Sequence, residues 1–272
     1  MQLKEILKRN NFRFNKRFGQ NFITDDNLLG KIAELSGVTS SDTVVEIGPG
    51  GGTLTRALAE RAKRVVAFEV DRSLEPILRE TLFGIDNVEV IFKDIMKVPT
   101  FEIEEKIGGE YKVVANLPYY ITTPIMMKFI EEGKSLSSIT VTVQEEVADR
   151  LSAVAGTAEY GGITASIDAV GTAKKLLKIP RGNFYPVPNV DSALVRIDID
   201  RAKYEIPDMA KFKAVVKSAF QSRRKTLVNN LMQSFGLTRE VAENAVRGIG
   251  KDVLIRGETL TTEEFINLSR VI

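Results

Sequence analysis

Residues 43–52 read Thr43-Val44-Val45-Glu46-Ile47-Gly48-Pro49-Gly50-Gly51-Gly52, a short β-branched run that ends in a glycine-rich turn. A helical segment follows directly at residues 53–58. Glycines between a strand and a helix let the backbone approach a ligand closely and present the helix N-terminus to it. This stretch therefore predicts a ligand site at one edge of an α/β sheet.

The rest of the chain repeats the strand-and-helix pattern and then changes. Further β-branched runs, separated by helix-length segments, lie at residues 64–68, 88–92, 112–115 and 139–143. This spacing predicts a parallel sheet with helices on both faces, an α/β fold.

The second half of the chain predicts two more strands and then helices alone. The strands are predicted at residues 172–179 and 193–199, joined by the proline-bearing loop 180–188. After residue 200 the β pattern stops, and the apolar spacing predicts helices at residues 212–235, 240–246 and 263–271. We therefore predict an α/β domain over residues 1–200 and a small all-helical domain over residues 201–272.

The composition excludes several classes of chemistry. The chain has 272 residues, 43% of them hydrophobic, and contains neither cysteine nor histidine. Disulfides, a thiolate nucleophile, a Cys/His zinc site and a histidine general base are excluded, and we expect no metal. No apolar run approaches the ~20 residues of a membrane span, and the N-terminus has no signal core. We expect a soluble cytoplasmic protein without membrane contact, and a monomer.

The basic residues are unevenly distributed, although the net charge is only +2. One cluster occupies the N-terminal arm, residues 1–17, and the other lies in the C-terminal helices. Each is more often a solvated face than a binding surface, but two such clusters favour a polyanionic partner. The clusters comprise Lys4, Lys8, Arg9, Arg13, Lys16 and Arg17, and Lys211, Lys213, Lys217, Arg223, Arg224 and Lys225.

Asn116-Leu117-Pro118-Tyr119 directly follows a predicted strand and suits attack by an exocyclic amine. The lone pair of adenine N6 is delocalised into the ring, so acceptors must hold the N–H groups to favour a pyramidal nitrogen. The Asn116 side-chain oxygen and the Leu117 carbonyl could be those acceptors. Pro118 stiffens the turn, and the ring of Tyr119 offers a face on which a base can stack. A simple turn after a buried strand is the alternative.

Two carboxylates stand at the ends of successive predicted strands, Glu69 after the second and Asp94 after the third. Ligands of open α/β sheets bind at these ends, so Glu69 could accept ribose hydroxyls and Asp94 could lie beside an adenine ring. Each could instead cap the helix that follows it. The turn reads G-x-G-x-G, with Thr53 where a dinucleotide fingerprint needs glycine or alanine, which favours a nucleoside without pyrophosphate.

Six motifs occur along the chain in a fixed order. They are Phe18-Gly19-Gln20-Asn21-Phe22-Ile23, Glu46-Ile47-Gly48-Pro49-Gly50-Gly51-Gly52, Asn116-Leu117-Pro118-Tyr119, Gln144-Glu145-Glu146-Val147-Ala148-Asp149-Arg150-Leu151, Phe184-Tyr185-Pro186-Val187-Pro188-Asn189-Val190-Asp191-Ser192 and Ala219-Phe220-Gln221-Ser222-Arg223-Arg224-Lys225-Thr226-Leu227. Together they resemble the ribosomal RNA adenine N6-dimethyltransferases, and among these the bacterial small-subunit enzymes, over nearly the whole chain. The family commonly has histidine where this chain has Asn21, which retains a hydrogen-bonding side chain.

The resemblance implies a Rossmann-like class I methyltransferase sheet that binds S-adenosyl-L-methionine over the glycine turn. The methionine portion would lie near Asn21, Gly48 and Asn116, with Ile23 packing at the entrance. Glu69 would hold the ribose, and the adenine would lie near Asp94. The implied cofactor-binding residues are Asn21, Ile23, Gly48, Gly50, Glu69, Asp94 and Asn116.

The resemblance also implies how a target adenine is held. The base would be extruded from the RNA, bound by Asn116 and the Leu117 carbonyl, and clamped between Tyr119 and Phe184. From the residues alone, a core position for Phe184 in its proline-rich loop is the preferred interpretation. The implied catalytic residues are Asn116, Leu117, Pro118, Tyr119 and Phe184.

By the same resemblance, the substrate is two adjacent adenines in the 3′-terminal hairpin loop of 16S ribosomal RNA, dimethylated on an immature 30S subunit. Arg223, Arg224 and Lys225 would contact phosphates, as would the N-terminal arm. One alternative is the 23S enzyme of the macrolide-resistance type, which commonly has isoleucine at the position of Leu117. Another is a ribosome-assembly factor whose RNA binding matters more than catalysis. A nicotinamide oxidoreductase is disfavoured because the chain lacks a proton-transfer residue.

Overall fold

The computed structural model, which describes residues 3–15 and 18–272, contains a seven-stranded mixed sheet. Two residues of the predicted basic arm, Lys16 and Arg17, lie outside the described part. The strands are β1 (Phe22–Ile23), β2 (Thr43–Ile47), β3 (Arg64–Phe68), β4 (Val88–Ile91), β5 (Tyr111–Asn116), β6 (Leu136–Gln144), β7 (Gly171–Ile179), β8 (Phe184–Tyr185) and β9 (Ser192–Ile199). The sheet order is β4-β3-β2-β5-β6-β9-β7, and β1 pairs separately with β8.

The predicted parallel arrangement is confirmed for β2 to β6, and the sheet also contains an antiparallel strand, β9, whose direction the sequence did not predict. The pairs β2-β3, β2-β5, β3-β4 and β5-β6 are parallel, whereas β9 runs antiparallel to β6 with Gln144 opposite Ser192. β9 follows β7 and β8 in the chain and lies between β6 and β7 in the sheet.

The described residues also form α-helices. They are α1 (Leu3–Arg9), α2 (Asp26–Leu35), α3 (Thr53–Ala59), α4 (Glu75–Thr81), α5 (Thr100–Ile107), α6 (Tyr119–Glu132), α7 (Glu145–Leu151), α8 (Gly162–Asp168), α9 (Met209–Ala219), α10 (Leu227–Phe235), α11 (Arg239–Gly248) and α12 (Thr262–Val271). Among the residues that the structure describes, no helix has the length and apolar character of a membrane span.

The single helix predicted over residues 212–235 is wrong, because the chain breaks between α9 and α10. The buried Asn230 side chain donates to the carbonyls of Ala219 and Ser222, at 3.1 Å each, and so satisfies groups exposed by the break. Thr226 caps the new helix by accepting from the Asn229 N–H. These bonds replace the intrahelical backbone hydrogen bonds that are lost where α9 ends and α10 begins.

The chain divides into two compact units. One runs to Ala148 and includes Lys174–Ile199; the other comprises Asp149–Ala173 and Asp200–Ile272. One boundary between the units lies at Asp200, and the sequence did not predict that Asp149–Ala173 joins the C-terminal helices. This segment joins them because the Tyr160 ring packs on Phe220, with centroids 5.8 Å apart. The division into domains at residues 1–200 and 201–272 stays a prediction.

Two buried clusters fix the elements around the glycine turn. One packs α2 and α3 on the sheet; the other joins α1 and α4 through Phe22 and Leu74. The two-stranded sheet sets Ile23 opposite Phe184 and Phe22 opposite Tyr185. This pairing holds the N-terminal motif, residues 18–23, beside the proline-rich loop, although the two are far apart in the sequence.

Candidate functional site

A cavity of about 400 Å³ lies in the first unit, at the carboxyl ends of β2, β3 and β5. Its walls come from four of the six sequence motifs and from the ends of β3 and β4. All predicted cofactor-binding and catalytic residues line it: Asn21, Ile23, Gly48, Gly50, Glu69, Asp94, Asn116, Leu117, Pro118, Tyr119 and Phe184. The cavity therefore unites residues that are far apart in sequence.

The glycine turn has a backbone that side chains would obstruct. Gly50 has φ of +55°, and a Cβ there would lie 2.6 Å from Cε1 of Phe22. The Gly50 N–H donates to Glu69 Oε2 over 3.1 Å. The turn is thus fixed against both the N-terminal motif and the end of β3, with its open side toward the cavity.

Glu69 is buried, at 4% exposure, and is held by backbone N–H groups, one on each carboxylate oxygen. Its Oε2 accepts from Gly50 and its Oε1 accepts from the Asp71 N–H at 2.8 Å. Burial raises the pKa of this carboxyl. The helix-cap alternative is wrong for Glu69, because Asp71 caps the following 3-10 turn.

Asp94 does cap the turn that follows it. Its Oδ1 accepts from the Met96 N–H at 3.0 Å, at the start of a 3-10 turn over Ile95–Lys97. Asp94 also lines the cavity, so the cap and a contact with a ligand are compatible. Its ligand role stays a prediction.

The side chain of Asn116, the last residue of β5, is oriented by a hydrogen bond that its NH₂ group donates. Its Nδ2 donates to the Asn21 carbonyl over 2.9 Å, and Asn21 in turn donates to the Gly19 carbonyl over 3.1 Å. With the NH₂ end directed at the protein, the Oδ1 end is the acceptor left for a ligand in the cavity. This is the polarity that holding an amine N–H requires.

Pro118 and Tyr119 are held by the start of α6. The Pro118 carbonyl accepts from the Thr122 hydroxyl at 3.0 Å and from the Ile121 N–H at 3.1 Å. The half-buried Tyr119 hydroxyl lies 2.7 Å from Oγ of Ser192, and burial raises the pKa of this phenol. Anchoring the ring at its tip restricts its rotation and leaves a fixed aromatic wall.

Phe184 is 3% exposed and belongs to the buried cluster under α2 and α3, as its sequence alone suggested. It also lines the cavity from β8. Its position beside Ile23 in the β1-β8 pair keeps it at the cavity wall. The clamp with Tyr119 stays a prediction.

Glu46 is a site residue that sequence analysis did not single out. It lies in β2 at 1% exposure, lines the cavity, and its Oε2 has no hydrogen-bond partner within the described residues. Burial, with the nearby Glu69 charge, raises the pKa of Glu46 to about 8. The sequence feature that could have identified Glu46 is its position as an acidic residue within an otherwise apolar strand.

The predicted RNA-binding triplet lies in the second unit, where each side chain is differently engaged. Arg223 donates to the carbonyls of Ala158 and Tyr160, at 3.0 and 2.7 Å. Lys225 donates to Gln233 Oε1 at 3.0 Å. Arg224 is exposed and forms no hydrogen bond or ion pair with the residues that the structure describes. Contact of the triplet with RNA stays a prediction.

Comparison with known proteins decides the family. The sequence model of the ribosomal RNA adenine dimethylases matches residues 11–272. The chain belongs to that family. Among curated relatives of this dimethylase is the ribosomal RNA small subunit methyltransferase A of Clostridioides difficile, 44% identical over 99% of this chain and 94% of the relative.

Solved structures confirm the fold class of the dimethylase. A dimethyladenosine transferase from Plasmodium falciparum has a TM-score of 0.76 at 22% identity, covering 91% of this chain and 95% of that one. The 23S rRNA methyltransferase ErmE has a TM-score of 0.70 at 27% identity, covering 92% and 98%. The class I methyltransferase sheet is thereby confirmed.

Dimethylases of this family use S-adenosyl-L-methionine, and the residues of the cavity fit this group. The glycine turn leaves a cradle that a Cβ at Gly50 would disturb, the Glu69 carboxyl is fixed at the end of β3, and Asn116 presents an acceptor. No cluster of three or more acidic side chains able to hold a metal occurs among residues 3–15 and 18–272.

Proposed function

We propose that this dimethylase transfers methyl groups from S-adenosyl-L-methionine to N6 of two adjacent adenines in the 3′-terminal hairpin loop of small-subunit ribosomal RNA, on an immature 30S subunit. The orientation of Asn116 carries the chemical part of this proposal. The small-subunit relative is 44% identical, whereas the solved 23S enzyme is 27% identical, which supports the small-subunit target.

The residues of the cavity contribute by holding the amine. S-adenosyl-L-methionine, when bound, supplies a methyl group on a positively charged sulfur. Asn116 Oδ1 and the Leu117 carbonyl accept the two N–H groups of the adenine, which favours a lone pair directed away from the ring. Tyr119 and Phe184 restrain the base on its two faces, and alignment of this kind contributes on the order of 7–11 kcal/mol. The displaced proton passes to solvent, so no histidine is needed.

The proposal extends to partners, place and domain roles. We propose that the protein acts as a cytoplasmic monomer, that the methyltransferase domain lies within residues 1–200, and that residues 201–272 contact RNA. The turn that carries Arg223, Arg224 and Lys225 supports this last role, since exposed basic side chains are the groups that bind phosphates.

A labelling experiment tests the proposed function. Small subunits that lack the modification are incubated with the protein and labelled S-adenosyl-L-methionine, and the modified nucleotides are mapped by primer extension. We expect two adjacent dimethylated adenines in the 3′-terminal hairpin, and strongly reduced labelling after Asn116→Ala. Labelling of large-subunit RNA alone would overturn the proposal. Normal subunit maturation by the inactive variant would instead identify an assembly role as the primary one.

A further inference from the structure

Tyr120 stands at the mouth of the cavity and has no assigned role. It follows Tyr119 in the first turn of α6, lines the cavity, and is nevertheless 62% exposed. Single exposed aromatic rings are common on protein surfaces, so exposure alone does not indicate a ligand. The Tyr120 ring is distinguished by its place in the cavity wall, where a ligand that enters the cavity would meet it.

The Tyr120 ring is supported from one side only. A Cβ on Gly19 would lie 3.5 and 3.7 Å from Cε1 and Cδ1 of Tyr120, so the ring rests against the backbone of the N-terminal motif. Within the described residues, Tyr120 forms no ring contact and no hydrogen bond with another side chain. One side of the ring is supported and the remainder is open to solvent.

The proposed reaction leaves a nucleotide without a stacking partner at the mouth of the cavity. When one of two adjacent adenines leaves its stack and enters the cavity, its neighbour loses a stacking partner. Stacking of a base on an aromatic side chain replaces that loss and does not depend on base identity. Tyr119 is inside the cavity with its hydroxyl bound to Ser192, whereas Tyr120, the next residue, is at the mouth.

We propose that Tyr120 is a positioning residue that stacks the nucleotide adjacent to the extruded adenine. This inference rests on the proposed function for the identity of the RNA. The stacked neighbour holds the RNA in register at the mouth while Asn116 and Tyr119 hold the target base. Tyr120 does not touch the reacting nitrogen, so it acts on RNA binding and not on the chemical step.

Steady-state kinetics on immature small subunits test this role. Tyr120→Leu keeps an apolar side chain against Gly19 but removes the π face, and Tyr120→Phe keeps the face and removes the hydroxyl. We expect the leucine variant to raise KM for the subunit roughly 5- to 150-fold with kcat unchanged, and the phenylalanine variant to match the wild type. Phe101→Leu is the matched control, because Phe101 is a 67% exposed aromatic on α5 outside the cavity.

A fluorescence measurement separates this inference from the proposed function. The synthetic 3′-terminal hairpin carries 2-aminopurine, which is quenched when stacked, beside the target adenine. We expect quenching in complexes of the wild type and Tyr120→Phe and bright emission with Tyr120→Leu, at equal affinities for S-adenosyl-L-methionine. Equal emission from all three complexes, an unchanged KM, or a loss confined to kcat would each overturn the inference. Quenching by a wild type that modifies no small-subunit adenine would sustain the stacking role and refute the proposed function.

Discussion

At the scale of single residues, Asn116 shows how one amide group can serve both the fold and the chemistry. Its NH₂ end is bound to the Asn21 carbonyl, and this bond leaves the oxygen end for the amine. Removing the side chain at Asn116→Ala should reduce kcat on the order of 10²–10³-fold, the loss typical for one preorganised hydrogen-bonding group. Single-turnover methylation of immature subunits measures this loss.

Asn27→Ala provides the matched control for that experiment. Asn27 is an exposed asparagine in α2 and does not line the cavity, so its removal should leave the single-turnover rate unchanged. If Asn116→Ala and Asn27→Ala methylated equally fast, the amide oxygen would have no part in holding the amine.

Glu46 gives the folded protein a pH dependence of stability that can be isolated. The folded state holds the proton of this carboxyl with a pKa of about 8, above the ordinary value of 4.5. The stability from Glu46 is therefore fully present below pH 4.5 and is lost as the pH rises toward about 8, because the folded state binds more protons in that range. Glu46→Gln cannot titrate and should lack this loss.

The effect of Glu46 on stability is measured by urea unfolding of the wild type and of Glu46→Gln. Measurements at about pH 5, 6.5 and 8 span the range over which the Glu46 carboxyl loses its proton. The free energy of unfolding of the wild type should fall relative to that of Glu46→Gln as the pH rises. Glu102→Gln, a substitution of an exposed glutamate on α5, controls for the change of side chain itself. A difference that stays constant across the three pH values would contradict a buried proton on Glu46.

At the scale of elements, the glycine turn joins packing to ligand geometry. Gly50→Ala would place a Cβ at a φ of +55° and 2.6 Å from Phe22. The left-handed conformation and the overpacking together should lower the free energy of unfolding by about 2–5 kcal/mol. Denaturant unfolding measures this change, and calorimetry with S-adenosyl-L-methionine should show weakened binding in the protein that remains folded.

Gly30→Ala is a control that should change the free energy of unfolding in the opposite direction. Gly30 lies within α2, and a Cβ there would meet nothing within 4 Å. This substitution should stabilise the protein by up to about 1 kcal/mol through helix propensity, without effect on cofactor affinity. Equal stability of the two alanine variants would show that the Phe22 contact does not constrain the turn.

The elements also show what a sequence can and cannot predict. The strands that flank the turn were predictable because β-branched periodicity is local, and their shared edge explains why Glu69 and Asn116 meet at one cavity. The break before α10 was not predictable, because Asn230 satisfies it through bonds to residues up to 11 positions away. Tyr120 was missed because nothing in its local pattern reveals that the ring stays exposed at a cavity mouth.

Arg223 and Arg224 lie in the turn between α9 and α10 and are expected to have different roles, the first in stability and the second in RNA binding. Arg223 holds the Ala158 and Tyr160 carbonyls, so Arg223→Ala should lower the melting temperature. Arg224→Ala should leave the melting temperature unchanged but weaken binding to small-subunit RNA and flatten its salt dependence. Thermal unfolding measures the expected loss of stability of Arg223→Ala. Filter binding between about 50 and 200 mM salt, a range over which phosphate contacts weaken markedly, measures the RNA binding of Arg224→Ala. An unchanged salt slope for Arg224→Ala would refute its phosphate contact.

At the scale of the whole molecule, the second unit is built from two separate stretches of the chain. The sequence predicted its start from the end of the β pattern near residue 200. It could not reveal the earlier stretch, because Asp149–Ala173 joins the second unit through contacts with residues far along the chain. Membership follows instead from contacts such as Gly162 against Phe220 and Val216.

This construction predicts which fragment folds. A peptide of residues 200–272 lacks Tyr160, which is 3% exposed and packs on Phe220, and should be largely unfolded by circular dichroism. Joining residues 149–173 to 200–272 through a short glycine-serine linker should restore a cooperative transition. The Asp200 N–H lies 2.8 Å from the Val170 carbonyl, so the two stretches already meet where they would be joined. Tyr160→Ala in the joined chain should cost about 3–5 kcal/mol, as for other large buried aromatics. A fragment of residues 200–272 as stable as the joined chain would show that the earlier stretch is not part of the folding unit.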